Sequence, residues 1–205
     1  MISPFLSWCA AQAIITPLEF CDENPSYRYT KCIEPSGISP TGPILRVPLS
    51  ACIIAPTTDS LADRLAAERN LGEESDYAPY LDVLPSLDSF RSTMPRFWSD
   101  DRMEMITAAD GGQVLRKTRE DARPDLDPWA HACVTSRANY VQGHGFAMTP
   151  ILDMINHDGS CGTRASIVQD ELFLSVDQIY SKGDEVFISY GDLTNLETLC
   201  NYGFV

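Results

Sequence analysis

Long apolar runs are missing from this 205-residue sequence. Nothing in it approaches the ~18 consecutive apolar residues of a transmembrane helix, so no membrane-spanning segment is expected. Basic residues are missing from the start, with no Lys or Arg before Arg28, which leaves out the basic opening of a secretory signal peptide. The stretch is not Arg-rich and carries acids, so it does not read as a transit peptide either. Paired cysteines are also missing. The seven cysteines stand at positions 9, 21, 32, 52, 133, 161 and 200, and no C-x-x-C occurs. An odd, scattered set fits buried thiols in a reducing compartment better than a disulfide framework. Zinc needs ligands in local pairs. His131 and Cys133 make one pair without a second, so no metal site is expected. Internal repeats and low-complexity segments are absent. Cytoplasm or nucleus is the default location, with chloroplast left open.

Positive charge is in short supply throughout: 15 Lys and Arg face 29 Asp and Glu, for a net charge of −14. Such a field repels nucleic-acid phosphates and favours a basic partner. Solubility alone is the other account of the same excess. With 44% hydrophobic and 21% charged residues, the composition is that of an ordinary globular domain.

The periodicity divides the chain into β, helical and β regions. Apolar spacing over 3–16 predicts a short helix ending before Pro17. Residues 27–33 and 44–54 read as β-segments around a turn-rich stretch, 35–43. Ser60 is a candidate cap for a helix over 61–69, with Gly72 as its stop. Shorter helical pieces are expected over 77–84 and 97–106, a charged segment over 113–121, a loop over 124–128 and a helix over 129–140. Short β-runs return at 146–148, 165–168, 172–176 and 185–189, and Thr194 is a candidate cap for a last helical turn. Neither β-region could bury a core alone, so the two must meet around the helical insert.

Three motifs close the sequence: Leu152-Asp-Met-Ile-Asn-His157, Gly183-Asp-Glu-Val-Phe-Ile-Ser-Tyr-Gly191 and Asn201-Tyr-Gly-Phe-Val205. In this order they resemble the SET domain, in particular the protein methyltransferase group with an inserted helical region that includes the Rubisco large-subunit methyltransferase. Residues 68–85, with their Pro-Tyr-Leu and Leu-Pro steps, resemble the group's insert, and Ser136-Arg137 resembles the pair near its end. Pro48 sits like the proline closing the second strand. The resemblance implies an α+β fold of short strands (a β-clip with a C-terminal pseudoknot) interrupted by helices. Its parts would be 1–59, an insertion over 60–142, and 143–205. The group's C-terminal helical substrate domain would be absent.

The activity that the resemblance implies is methyl transfer from S-adenosylmethionine to lysine on a protein substrate, a basic segment; a histidine acceptor is the family's other branch. Tyr190 would be the catalytic tyrosine; its alternative is a strand-end aromatic with a satisfied hydroxyl. Asn156 and His157 would contact the cofactor, the alternative for His157 being a core histidine that caps a turn, and Arg137 would pair with the cofactor carboxylate or stand as a surface arginine at a helix end. Tyr202 would line the site and Phe204 would pack on adenine, or both would simply anchor the tail. Asp153 matches an acidic position near the substrate. One element is out of pattern. The first SET motif is a Gly-x-Gly strand, whereas the aligned residues 26–31 hold no glycine, so Tyr27 and Tyr29 would reshape that wall. The stretch after His157 also lacks an aromatic that lines the lysine channel in the Rubisco enzyme. A non-catalytic SET-like interaction module is the competing reading.

Overall fold

The computed structural model describes residues 4–24, 27–40 and 42–205. Ser3, Ser26 and Thr41, which belong to the expected helix, the aligned stretch and the 35–43 turn, lie outside the described residues. The chain forms two compact units, Met1–Pro56 with Asn139–Asp192, and Thr57–Ala138 with Leu193–Val205. The expected insertion began at 60 and ended at 142. The compact units divide at Pro56 and Ala138, and the final helix groups with the helical unit.

The first unit opens with α1 (Pro4–Ala11), then β1 (Leu18–Asn24) and β2 (Tyr27–Cys32), an antiparallel pair. No strand was expected over β1. Its charged sequence, Leu-Glu-Phe-Cys-Asp-Glu-Asn, has weak strand propensity, and pairing with β2 supplies what local preference does not. The single strand expected over 44–54 is two, β3 (Leu45–Pro48) and β4 (Ile53–Ala55), separated by a 3-10 turn at Leu49–Ala51. Pro48 brings no backbone N–H to the ladder, so the strand ends there.

After the insert come β5 (Asn139–Val141), β6 (Gly145–Met148), β7 (Asn156–His157), β8 (Thr163–Val168), β9 (Glu171–Val176) and β10 (Phe187–Ile188). Two antiparallel sheets join the halves of the unit, in the orders β3-β9-β8 and β4-β6-β5, while β7 and β10 pair in parallel. Gln169 and Asp170 both take positive φ, the conformation of a tight two-residue hairpin between β8 and β9. At Gly145 (φ +101°) a Cβ would run into the Ala55 carbonyl oxygen, so only glycine lets β6 approach β4 this closely. Val47, Ile53, Ala147, Met148, Ile151, Ile155 and Val186 are sealed from solvent at its core.

The helical unit contains α2 (Thr58–Leu71), α3 (Ala78–Leu81), α4 (Leu87–Thr93), α5 (Asp100–Asp110), α6 (Gln113–Glu120), α7 (Pro128–Arg137) and α8 (Asn195–Tyr202). Thr57, not Ser60, caps α2; Ser60 is its reciprocal partner three residues on, closing a capping box. The cap at Thr194 is as expected, with Glu197 returning the bond. The helix expected over 129–140 stops at Arg137 because the chain turns extended at Ala138 and enters β5. Helix α4 was not expected. Leu61, Leu65, Tyr80, Met94 and Ala132 are fully buried in this unit. Trp129 donates its indole N–H to the Pro85 carbonyl at 2.8 Å, and the Arg69 guanidinium sits 4.2 Å from its ring centre. A second cluster forms from Met103, Val114 and Cys200 with Leu196 and Leu199.

Candidate active site

The turn at Ser181–Asp184 sets the geometry of the strand unit. The Ser181 amide donates to the Asp184 carboxylate at 2.7 Å, and the Asp184 amide donates back to the Ser181 carbonyl. From there the chain follows β2: Gly183 donates to the Cys32 carbonyl, Cys32 to Asp184, and Val186 to Thr30. It then joins β7, with Phe187 beside Asn156 and Ile188 beside His157. Two residues from each strand suffice because Asp158 extends the ladder by donating to Ile188 at 3.0 Å. This pairing brings together three residues selected from the sequence, namely Asn156, His157 and Tyr190.

Tyr190 follows β10. Its hydroxyl donates to the Ile155 carbonyl at 2.7 Å, and its backbone amide donates to His157 Nδ1 at 3.0 Å. An Nδ1 that accepts carries no proton, so neutral His157 holds its proton on Nε2. The two rings stack with centres 5.0 Å apart. Tyr190 is thus held at three points.

Asn156 is held as firmly. Its Nδ2 donates to the Arg28 carbonyl and to Glu185 Oε1, each at 2.9 Å. Both neighbours are acceptors, which settles that nitrogen and not oxygen occupies this side of the amide. The same Glu185 carboxylate receives the Tyr27 hydroxyl at 2.8 Å from both oxygens. Tyr27 therefore does not merely crowd the wall where glycine was expected; it is bonded into the site. Tyr29 lies beside it, with ring centres 5.8 Å apart. Burial, with the Glu185 hydrogen bond adding, raises the Tyr27 phenol above its ordinary pKa, so it remains a donor at neutral pH.

Asp153 lies just before this group, on the 3-10 turn Leu152–Met154, and is 7% exposed. Its charge adds to burial in pushing the Cys9 and Cys52 thiols up to about 12. Arg137, Tyr202 and Phe204 belong to the helical unit. Arg137 is half-buried in the last turn of α7. Tyr202 ends α8, its ring centre 5.9 Å from that of the exposed Phe204, and Gly203 between them takes φ +83°. Burial raises the Tyr202 phenol.

Sequence reasoning missed Glu185 and the Arg28 and Ile155 carbonyls. Glu185 stood inside the Gly-Asp-Glu motif but was read as the start of a strand. Main-chain acceptors leave no mark in a sequence. Among the described residues, no group of three His, Cys, Asp or Glu side chains could hold a metal ion, and all seven cysteines are buried free thiols. No helix there is long and apolar enough to cross a membrane.

No family model matches the chain. Over 72 residues it is 38% identical to the protein-lysine N-methyltransferase EFM1 of Saccharomyces cerevisiae, covering 34% of this chain and 12% of the yeast protein. Over 170 residues it is 25% identical to the N-lysine methyltransferase setd6 of Danio rerio, covering 63% of this chain and 36% of that protein. The matched stretches are thus well under half of either relative. The solved structure of Rubisco LSMT bound to AdoMet superimposes with a TM-score of 0.73 at 21% identity, over 98% of this chain and 55% of that one. The SET domain of LSMT bound to lysine and AdoHcy gives 0.72 at 20%, over 98% and 56%. Over almost its whole described length, the chain has the SET-domain fold with helices interrupting the strands.

Proposed function

We propose that this protein transfers a methyl group from S-adenosylmethionine to a lysine side chain of a protein substrate. The observation that carries the reading is Tyr190: its hydroxyl is pinned on the Ile155 carbonyl while its ring and amide are locked to His157, directly beside Asn156. The SET fold and the similarity to two lysine methyltransferases support it. The net charge of −14 favours a basic segment around the target lysine.

The strand unit has groups suited to such a cofactor. The Tyr190 and Ile155 oxygens, 2.7 Å apart, form an electron-rich pair that favours an electron-poor methyl on a sulfonium. When bound, S-adenosylmethionine supplies a methyl carbon whose displacement leaves a neutral thioether. Asn156 and His157 would hold its amino-acid and adenine parts. With its proton committed to Ile155, the Tyr190 hydroxyl acts toward a substrate amine as an acceptor. It orients the amine's N–H so that the nitrogen lone pair aims along the displacement line, and positioning of this kind dominates such reactions. The amine must be neutral, and desolvation lowers its pKa from ~10.4 toward that state. His157, neutral and bonded through Nδ1, serves as a strut for Tyr190 and not as a base.

A second reading, a SET-like module that binds a basic protein without catalysis, draws support from Tyr27 and Tyr29 on the strand expected to carry glycines. Calorimetric titration of the folded protein with S-adenosylmethionine separates the two. Saturable binding supports the enzyme. Heat changes indistinguishable from dilution at millimolar cofactor would overturn it.

A further inference from the structure

We infer that Glu185 and Tyr27 are positioning residues that set the Asn156 carboxamide to receive a cationic donor from the bound ligand. The inference rests on the methyltransferase reading and goes beyond it. It starts from hydrogen-bond capacity. A carboxamide offers two N–H donors and one carbonyl acceptor. Asn156 spends both donors on the Arg28 carbonyl and on Glu185 Oε1. Its Oδ1 makes no hydrogen bond to any described residue, and the side chain is half-buried, so the oxygen is the part of the amide left to meet a ligand.

The orientation is not decided by Asn156 alone. An asparagine at the end of a two-residue strand could turn its amide over, and the Arg28 carbonyl by itself would hold only one N–H. Glu185 supplies the second acceptor and, being charged, makes the stronger bond. Tyr27 completes the arrangement by donating to the same carboxylate from β2, 158 residues away in sequence. It fixes the carboxylate's rotamer against β2 while Asn156 holds it against β7. The raised Tyr27 pKa keeps this arm a donor across neutral pH. Three side chains from three segments therefore fix which edge of the amide carries the oxygen.

A fixed amide oxygen beside a carboxylate favours a positively charged N–H donor, and the α-ammonium of the cofactor's methionine end is the group of that class in the proposed reaction. Pre-orientation removes the cost of ordering the amide on binding, which enters cofactor affinity more than the chemical step.

The test uses Tyr27→Phe, Glu185→Ala and Glu185→Gln, with binding of S-adenosylmethionine followed by calorimetry. Tyr27 is 49% exposed, so Tyr27→Phe keeps the fold if Glu185→Ala does not. Expected are a roughly tenfold weaker Kd for Glu185→Ala, about threefold for Tyr27→Phe, and partial recovery in Glu185→Gln, whose amide oxygen still accepts. KM for the cofactor should rise more than kcat falls. Independently of turnover, the two Asn156 side-chain N–H resonances should exchange slowly with solvent in the free wild-type protein and faster in Glu185→Ala and Tyr27→Phe. If the wild type binds and both variants match it within twofold, the inference is overturned and the enzyme reading stands. If the folded wild type does not bind, the enzyme reading falls and takes this inference with it.

Discussion

Replacing Tyr190 by Phe removes one oxygen and leaves everything else that holds the side chain. The ring still stacks on His157 at 5.0 Å, and the backbone amide still donates to Nδ1. Lost is the 2.7 Å bond to the Ile155 carbonyl, in a residue with no exposed surface. A typical intramolecular hydrogen bond contributes about 1 kcal/mol, and stranding a buried acceptor costs up to about 3. Near the lower figure, the melting temperature of a chain this long falls by roughly 2–4 °C. The effect on turnover should be larger. If the hydroxyl orients the amine mainly in the transition state, its removal should lower kcat about a hundredfold, equivalent to ~2.7 kcal/mol. Cofactor affinity should fall by no more than about threefold, because the contact of this oxygen with the sulfonium methyl is one of several that hold the cofactor, whereas the orientation of the amine counts mainly in the transition state. The assay is S-adenosylhomocysteine release with a lysine-bearing peptide array, beside calorimetric Kd on the same sample. Equal losses in kcat and affinity would show Tyr190 to be structural, and unchanged kcat would remove it from the mechanism.

Three further predictions concern the scaffold. Gly203→Ala places a Cβ 2.7 Å from Thr93 Cβ at φ +83°, so it should destabilise the helical unit by about 1–3 kcal/mol in urea unfolding; an unchanged midpoint would refute the close approach. Arg96 Nη1 lies 3.2 Å from His131 Nδ1, and burial followed by the Arg96 charge depresses the His131 pKa below 6.5. The unfolded chain then binds more protons below pH ~6.5, so stability is complete above that pH and falls as pH drops toward the folded value. His131→Gln should flatten this acid limb, and an identical pH profile would count against it. The Cys9 and Cys52 thiols, at about 12, should resist a thiol reagent at pH 8 in the native protein and react in urea. Because the unfolded thiols ionise near 8.5, their contribution to stability is lost as pH rises from there toward 12. Rapid native labelling of either would contradict their burial.

How much of this was legible depended on the range over which each feature is encoded. The helix caps are written within four residues: Thr194 and Glu197 were readable because a capping box is a local reciprocal bond. Thr57 was missed in favour of Ser60 because both belong to the same box, and composition does not say which is the cap. Asn156, His157 and Tyr190 stood out as residue types in a recognisable order. Their mutual geometry did not, because β7 and β10 hold only two residues each, too few for any periodicity.

By itself the sequence determined the class of fold, the order of β and helical regions, and the identities of the residues at the centre of the strand unit. Tertiary structure alone decided that β1 is a strand, since only β2 makes it one. It also decided that the final helix joins the helical unit, and that Tyr27 reaches Glu185. The physical reason is shared. Capping, turn formation and apolar spacing act between near neighbours, whereas a hydrogen bond across 158 residues exists only after the intervening chain has folded around it.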